Sequence, residues 1–131
     1  AMNDDKVMAS IIPDGYHVDY AAIQVAKAIM KDRLFVITDA VTETITGLYP
    51  HHLSGEKYEA EGILSGSALT MIKAVQNLVN HAGIELSEAL RMCSLYPARV
   101  IKMDKKVGKL EPGYAANLLV INNNLETVQV L

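Results

Sequence analysis

One aspartate at the end of an apolar segment is the residue best placed for chemistry. Asp39 follows residues 34–38, L-F-V-I-T, which are apolar up to the last position. Such a run is typical of a parallel strand covered on both faces, and α/β barrels carry their active sites at the carboxyl ends of those strands. The position predicts general acid–base work for the Asp39 carboxylate. A helix cap or a solvated loop aspartate would look the same in the sequence.

A histidine in the loop after an earlier apolar segment is the second candidate. Residues 14–18, D-G-Y-H-V, follow the short apolar run of residues 8–12. Adjacent parallel strands lie about 5 Å apart, so we expect His17 and Asp39 to face a common pocket. Taken alone, a histidine more often satisfies a structural hydrogen bond than it binds substrate.

The other histidines do not form a metal motif in the sequence. His51 and His52 are neighbours, and neighbouring residues on an extended chain point to opposite sides. No third ligand accompanies them at a regular spacing, whereas a closed zinc site needs about four ligands. His81 lies at the polar end of a predicted helix, where it would interact with the helix dipole. We predict that none of the three is a metal ligand.

Two residues with nucleophilic side chains, Ser65 and Cys93, are not predicted to take part in catalysis. Residues 64–67, L-S-G-S, are predicted to open a helix with Ser67 as its N-cap, and free backbone N–H groups there would suit an anion or an oxygen atom. No motif ties a histidine to Ser65, so it is not predicted to be a nucleophile. Cys93 lies among apolar residues of a helix and is predicted to pack rather than react.

The elements that position these residues form a strand–helix–strand unit at the start. Strand 8–12 ends in turn residues, and Asp19 is placed to cap a helix that leads into strand 34–38. The spacing of apolar residues predicts the buried face of that helix: Ala22, Val25, Ala26, Ile29 and Met30.

The remaining chain reads as an excursion, three helices and a β-rich tail. Residues 40–66 are polar and contain glycines, with a hairpin predicted over 53–60. Helices are predicted from Ser67 to a stop at Gly83, over residues 86–95, and over a shorter segment to about residue 102. Glu111 to Tyr114 predict a type II turn, followed by strands at 117–121 and 128–131.

Composition excludes several classes of protein. The chain has 131 residues, of which 50% are hydrophobic and 21% charged, with a net charge of −3. It can bury a core, offers no basic field for nucleic acid, and has no apolar run near the ~20 residues that span a membrane. Its single cysteine fits a reducing compartment, which predicts a cytoplasmic location. Residues 1–7 read as a disordered lead or an expression remnant, and an end within a strand suggests a fragment.

Five blocks of sequence together carry a family resemblance. They are D-G-Y-H-V-D-Y (14–20), V-I-T-D-A (36–40), G-I-L-S-G-S-A-L-T-M (62–71), A-L-R-M-C-S-L-Y-P-A-R (89–99) and G-K-L-E-P-G-Y-A-A-N-L-L-V (108–120). In this order they resemble the N-acetylglucosamine-6-phosphate deacetylases, a family of the amidohydrolase superfamily. The last block is common to many amidohydrolases, whereas the first and third are much more specific.

The resemblance implies a fold and a set of site residues. The fold class would be α/β: the last two βα units of a (β/α)8 TIM barrel over residues 8–106, and strands of a small β-sandwich over 107–131. Asp39 matches the catalytic aspartate. Asn117 stands where many relatives have aspartate. We expect this difference to affect a structural hydrogen bond and not the catalytic chemistry. The residues that match substrate-binding positions are Asp14, Gly15, Tyr16, His17, Leu64, Ser65 and Gly66.

The resemblance also implies an activity that this chain does not complete alone. N-acetylglucosamine 6-phosphate would be hydrolysed to glucosamine 6-phosphate and acetate, with Asp39 moving the protons. The divalent metal, zinc or iron, would be held by a glutamate and two histidines that lie upstream of this chain. The full-length enzyme would be a homodimer, and we expect no nucleic acid or membrane partner. Two alternatives stay open: another metal-dependent amidohydrolase, such as a dihydroorotase or deaminase, and a non-catalytic fragment.

Overall fold

The computed structural model describes residues 2–47 and 50–131 as a mixed α/β chain. Its strands are β1 (Ala9–Ile11), β2 (Leu34–Val36), β3 (His52–Ser54), β4 (Lys57–Ala60), β5 (Ile63–Ser67), β6 (Leu119–Ile121) and β7 (Thr127–Val130). Its helices are α1 (Tyr20–Met30), α2 (Met71–Asn80), α3 (Leu86–Cys93) and α4 (Leu95–Val100). The longest helix within those ranges has 11 residues, and none could cross a bilayer.

The predicted strand–helix–strand unit is confirmed. β1 and β2 pair in parallel, with Ala9 opposite Leu34, and α1 is the crossover between them. The Asp19 carboxylate accepts a hydrogen bond from the Ala21 N–H at 2.8 Å, which satisfies one of the free donors at the start of α1. The helix stops after Met30 because Lys31 has a positive φ of 53°.

The buried face of α1 differs from the predicted one. Ile23, Ala26 and Met30 are buried, and the Gln24 amide donates to the Ala82 carbonyl oxygen at 3.1 Å. That contact shows which flank of the helix faces the rest of the chain. Apolar residues occur on two sides of α1, and helical spacing alone does not say which side the sheet covers. The side chains that we wrongly predicted to be buried are Ala22, Val25 and Ile29.

The excursion after β2 contains a three-stranded antiparallel sheet in the order β3-β4-β5. The predicted hairpin over residues 53–60 is confirmed, with Ser54 opposite Lys57. Residues 48 and 49 of the excursion lie outside the described residues. β5 also touches the segment after β2, through a parallel bridge between Ala40 and Ser67. The excursion therefore returns to the strand end that carries Asp39.

The start of α2 corrects a prediction. Residues 63–67 form a strand and not the first turn of a helix, and the helix begins at Met71. Thr70, not Ser67, is the N-cap, and its hydroxyl accepts from the Lys73 N–H at 3.3 Å. The backbone of residues 63–67 pairs with β4, which removes the free N–H groups that a helix start would have offered.

The core lies between the parallel strands and the four helices. α3 and α4 pack against β2, and α2 packs against α3. Pro97 lies in the first turn of α4, as predicted, where its missing N–H leaves no intrahelical bond unmade. The largest side chains that are fully buried in this core are Ile23, Met30, Leu34, Val36, Leu78 and Met92.

The tail forms the predicted turn and hairpin. Gly113 has a φ of +93°, and the Tyr114 N–H donates to the Glu111 carbonyl oxygen at 3.1 Å, as in a type II turn. β6 and β7 pair antiparallel.

At the N-terminal end of the chain we expected a disordered lead over residues 1–7. Ala1 lies outside the described residues, but the Arg33 guanidinium donates to carbonyl oxygens within residues 2–7.

Candidate active site

The Asp39 carboxylate lies just beyond the end of β2 and is open to solvent. Its side chain is 52% exposed, in contrast to the buried residues of the strand before it. The Ile37 N–H donates to the Ile11 carbonyl oxygen at 3.0 Å, so the parallel pairing continues almost to the aspartate. Asp39 itself has a positive φ of 51°. A non-glycine residue in this conformation is uncommon, although aspartate tolerates it better than most residues do.

Asp14 in the loop after β1 holds the neighbouring histidine in place. Its carboxylate accepts hydrogen bonds from the backbone N–H of Tyr16 at 2.9 Å and of His17 at 2.8 Å. The other oxygen lies 2.6 Å from Nδ1 of the His17 ring. Asp14 is 6% exposed, so its carboxylate serves its own loop and presents little surface to a ligand. The geometry supports a positioning role for this side chain.

The electrostatics of Asp14 decide which His17 nitrogen carries the proton. Burial raises the pKa of the Asp14 carboxyl, but hydrogen bonds from His17 and Tyr16 outweigh it, and the pKa lies below its ordinary value. Asp14 is therefore ionised near neutral pH and accepts at both oxygens. The His17 ring must donate from Nδ1, which leaves Nε2 as the free nitrogen.

That free nitrogen lies near the Asp39 carboxylate, in agreement with the prediction that the two residues are neighbours. His17 Nε2 lies 3.6 Å from Oδ2 of Asp39, and the His17 side chain is 18% exposed. The distance is too long for a hydrogen bond but places the two groups side by side beyond the ends of β1 and β2. With a neutral ring and an ionised carboxylate, both atoms are hydrogen-bond acceptors. The pair is suited to a ligand that offers O–H or N–H donors.

The two residues between Asp14 and His17 shape the loop. Gly15 has a φ of +78°, and a Cβ there would lie 3.0 Å from the Tyr20 hydroxyl oxygen. This turn therefore favours glycine for both conformation and space. The Tyr16 ring is 49% exposed, and Nζ of Lys57 lies 5.3 Å from its centroid. The contact joins the β3–β4 hairpin to the loop that carries His17.

The expected second substrate segment, Leu64, Ser65 and Gly66, lies on β5. This strand leads directly to Ser67, whose N–H donates to the Asp39 carbonyl oxygen at 3.0 Å. The segment is thus brought to the same strand end as Asp39. Ser65 and Leu64 line a cavity of about 580 Å³ together with residues of the neighbouring loops.

A contact between His51 and Ser65 was missed by reasoning from the sequence. His51 Nδ1 lies 2.9 Å from the Ser65 hydroxyl oxygen, and both residues line the cavity. The three-stranded sheet brings them together although 14 positions separate them. No spacing rule could have found the pair, because the contact depends on two successive strand registers.

The two remaining candidates, His81 and Cys93, make contacts within the fold and do not lie at the site. His81 is the C-cap residue of α2, and its ring stacks on Tyr20 with centroids 5.0 Å apart. Burial raises the pKa of the Cys93 thiol to about 12, which agrees with the predicted packing role. Within residues 2–47 and 50–131, no group of three or more His, Cys, Asp or Glu side chains is placed to hold a metal ion. The donors present therefore do not make a metal site by themselves.

Comparison with known proteins identifies relatives along nearly the whole chain. Residues 17–130 match the amidohydrolase family. The chain is 33% identical over 138 residues to N-acetylglucosamine-6-phosphate deacetylase of Haemophilus influenzae, and 98% of this chain and 36% of that protein are covered. It is 32% identical over 137 residues to N-acetylgalactosamine-6-phosphate deacetylase of Escherichia coli O157:H7, with the same coverage, 98% and 36%.

A solved structure agrees with the sequence relatives. The crystal structure of N-acetylglucosamine-6-phosphate deacetylase from Pasteurella multocida superposes on this chain with a TM-score of 0.92 and 35% identity. The superposition covers 99% of this chain and 36% of that one. The chain thus spans 36% of the length of each of these three proteins.

Proposed function

Because the chain belongs to the amidohydrolase family, we propose that it supplies the acid–base group and the substrate loops of an amino-sugar 6-phosphate deacetylase. One observation carries the proposal: an exposed carboxylate at the end of a parallel strand faces a histidine whose tautomer is set by a buried aspartate. The matched relatives are deacetylases by name. In the full-length protein, the part of their length that this chain does not span would complete the site.

Asp39 would move one proton through the reaction. As a carboxylate it takes a proton from the attacking water while the water oxygen bonds to the acetyl carbonyl carbon. When the C–N bond breaks, its electron pair goes to the nitrogen, and the protonated Asp39 returns the proton there. The second proton of the water stays on the acyl product, so the free amine and acetic acid are formed, and the acid ionises to acetate. The 52% exposure of the Asp39 side chain supports this role, since a ligand can reach it.

His17 would orient the sugar. With Nδ1–H directed to Asp14, Nε2 is the ring nitrogen that faces outward, and it accepts a hydrogen bond when it carries no proton. A sugar hydroxyl is the matching donor on an amino-sugar phosphate. Backbone groups of Gly15 and Tyr16, and the segment of Leu64 to Gly66, would complete the contacts around it.

A divalent metal, zinc or iron, would polarise the acyl oxygen of the substrate and lower the pKa of the attacking water when the metal is bound. The described residues of this chain do not fit a metal site, so its ligands would come from the rest of the full-length protein. We further propose that residues 8–106 belong to a (β/α)8 barrel and residues 107–131 to a β-sandwich. The enzyme would act as a cytoplasmic homodimer.

N-acetylgalactosamine 6-phosphate is a second candidate substrate, because one relative is named for this epimer of the sugar. The identities to the N-acetylglucosamine and N-acetylgalactosamine enzymes are 33% and 32%. The two sugars differ only in the orientation of one hydroxyl group. Epimer choice would therefore depend on acceptors such as His17 Nε2 that contact sugar hydroxyls.

The test is a comparison of substrates with the purified full-length protein. Acetate release is measured with N-acetylglucosamine 6-phosphate, N-acetylgalactosamine 6-phosphate and the unphosphorylated sugars. We expect acetate from at least one phosphorylated sugar, and much slower turnover without the phosphate. Release of ammonia instead of acetate would indicate a deaminase. Equal rates with and without the phosphate would contradict the proposed substrate class.

A further inference from the structure

The backbone conformation of Asp39 needs a restraint from elsewhere in the chain. With a φ of 51°, Asp39 occupies the left-handed region, which aspartate tolerates better than most L-residues but adopts less readily than an extended or right-handed backbone. The conformation sets the direction in which the Cα–Cβ bond, and hence the carboxylate, points. Without a restraint, the exposed segment after β2 could relax to an extended backbone and carry the carboxylate away from His17.

One residue contacts both peptide groups that flank the Asp39 Cα atom. The Ser67 hydroxyl donates to the Thr38 carbonyl oxygen, and the Ser67 N–H donates to the Asp39 carbonyl oxygen at 3.0 Å. The orientation of the first peptide group depends on φ of Asp39, and that of the second depends on ψ of Asp39. Two hydrogen bonds from a single residue therefore fix both dihedral angles of Asp39.

Ser67 is itself held firmly. It is 0% exposed, and its hydroxyl oxygen accepts from the Leu69 N–H at 3.1 Å, which leaves the hydroxyl proton directed to Thr38. The Val41 N–H donates to the Ser67 carbonyl oxygen at 3.2 Å. The close approach depends on Gly66, because a Cβ there would lie 2.7 Å from Cγ2 of Val41.

We propose that the Ser67 hydroxyl positions the Asp39 carboxylate for proton transfer, an inference that rests on the proposed role of Asp39. Ser67 is fully buried, so its hydroxyl would act through the backbone and not by contact with the substrate. It acts by keeping the peptide group before Asp39 in the orientation that the left-handed conformation requires. Loss of the hydroxyl leaves the backbone pairing in place but frees that peptide group.

The test measures deacetylation by full-length Ser67→Ala. We expect kcat to fall about 10-fold or more with KM changed less than about 3-fold, since misplacement of a reacting group slows the chemical step more than it weakens binding. Ser67→Thr retains the hydroxyl and should recover much of the loss. Ser94→Ala is the matched control, because the Ser94 hydroxyl also donates to a backbone carbonyl oxygen, that of Leu90, at 2.7 Å. This control should keep the wild-type kcat.

A double-mutant comparison separates this inference from the proposed function. If Ser67 acts through Asp39, Ser67→Ala should reduce kcat no further in an Asp39→Asn background. Equal fold losses in both backgrounds would overturn the positioning role, whereas wild-type kcat in Asp39→Asn alone would overturn the proposed function. If Ser67→Ala does not fold, Ser67→Cys replaces it, because the thiol has similar size but is a weak donor. Failure of both variants to fold would reject the inference in favour of a purely structural role.

Discussion

Replacing Asp14 by asparagine should reverse the hydrogen bonding of His17 without changing the size of the side chain. One carboxylate oxygen accepts from the two backbone N–H groups, and the amide oxygen of asparagine can replace it. The other oxygen, 2.6 Å from His17 Nδ1, would become an NH2 group. Two donors cannot face each other, so Nδ1 would have to become the acceptor and Nε2 would carry the proton.

The expected losses follow from what the carboxylate does. A hydrogen bond to a charged group contributes about 1.5–3 kcal/mol, and Asp14 is nearly fully buried, so little of this is screened by solvent. The asparagine amide would keep a neutral hydrogen bond to the ring, worth about 0.5–1.5 kcal/mol, so we expect Asp14→Asn to lower the free energy of unfolding by the difference, about 1–1.5 kcal/mol. Because Nε2 would then offer a donor where the site needs an acceptor, kcat/KM should fall about 10- to 100-fold.

The pH dependence gives an independent check on the stability effect. The pKa of the Asp14 carboxyl is lower in the folded protein than its ordinary value of 3.8. A lowered pKa in the folded state stabilises the protein above the unfolded pKa, and the stabilisation is lost as pH falls through the folded pKa. The difference in stability between wild type and Asp14→Asn should therefore be full near pH 6 and shrink below about pH 4.

Thermal unfolding across this pH range, together with steady-state deacetylation kinetics, measures both effects in the full-length protein. Asp19→Asn is the matched control, because asparagine caps a helix about as well as aspartate and the Asp19 carboxylate accepts from the Ala21 N–H at the start of α1. A stable, fully active Asp14→Asn variant with unchanged pH dependence would refute the reasoning about the His17 tautomer.

Three further predictions concern single side chains. His17→Ala in the full-length protein should lose about 1–3 kcal/mol of transition-state binding, seen as a lower kcat/KM; unchanged kinetics would return it to a structural role. Replacement of both His51 and His52 by alanine should leave the metal content unchanged in elemental analysis, and loss of metal would show that they are ligands. Cys93 should resist alkylation in the native protein at pH 8, since its pKa is about 12; rapid labelling before unfolding would contradict its burial.

Local sequence signals were sufficient for the elements that carry Asp39 and His17. The unbroken apolar run before Asp39 and the cap at Asp19 predicted a parallel βαβ unit, and parallel pairing places both loops at one edge. The topology places the loops of His17 and Asp39 side by side, and it depends on residues close in sequence and on the handedness of a single crossover. The 3.6 Å separation of the two side chains also depends on the hydrogen bonds made by Asp14 and Ser67.

The errors arose where distant parts of the chain decide the outcome. The small residues of L-S-G-S fit a helix start, but they also let β5 pass close to Val41, and pairing with β4 made the segment a strand. The buried side of α1 depended on where the other helices lie. The contact between His51 and Ser65 required the registers of three strands. Each of these is set by tertiary contacts that local propensity does not encode.

The central claim is that Asp39 carries the proton in deacetylation, and Asp39→Asn in the full-length protein tests it most directly. Asparagine keeps the size of the side chain and tolerates a positive φ, but it cannot accept and return the proton. With N-acetylglucosamine 6-phosphate as substrate, kcat should fall about 100-fold or more, while substrate binding and metal content are retained. A variant that keeps the wild-type kcat would contradict the account.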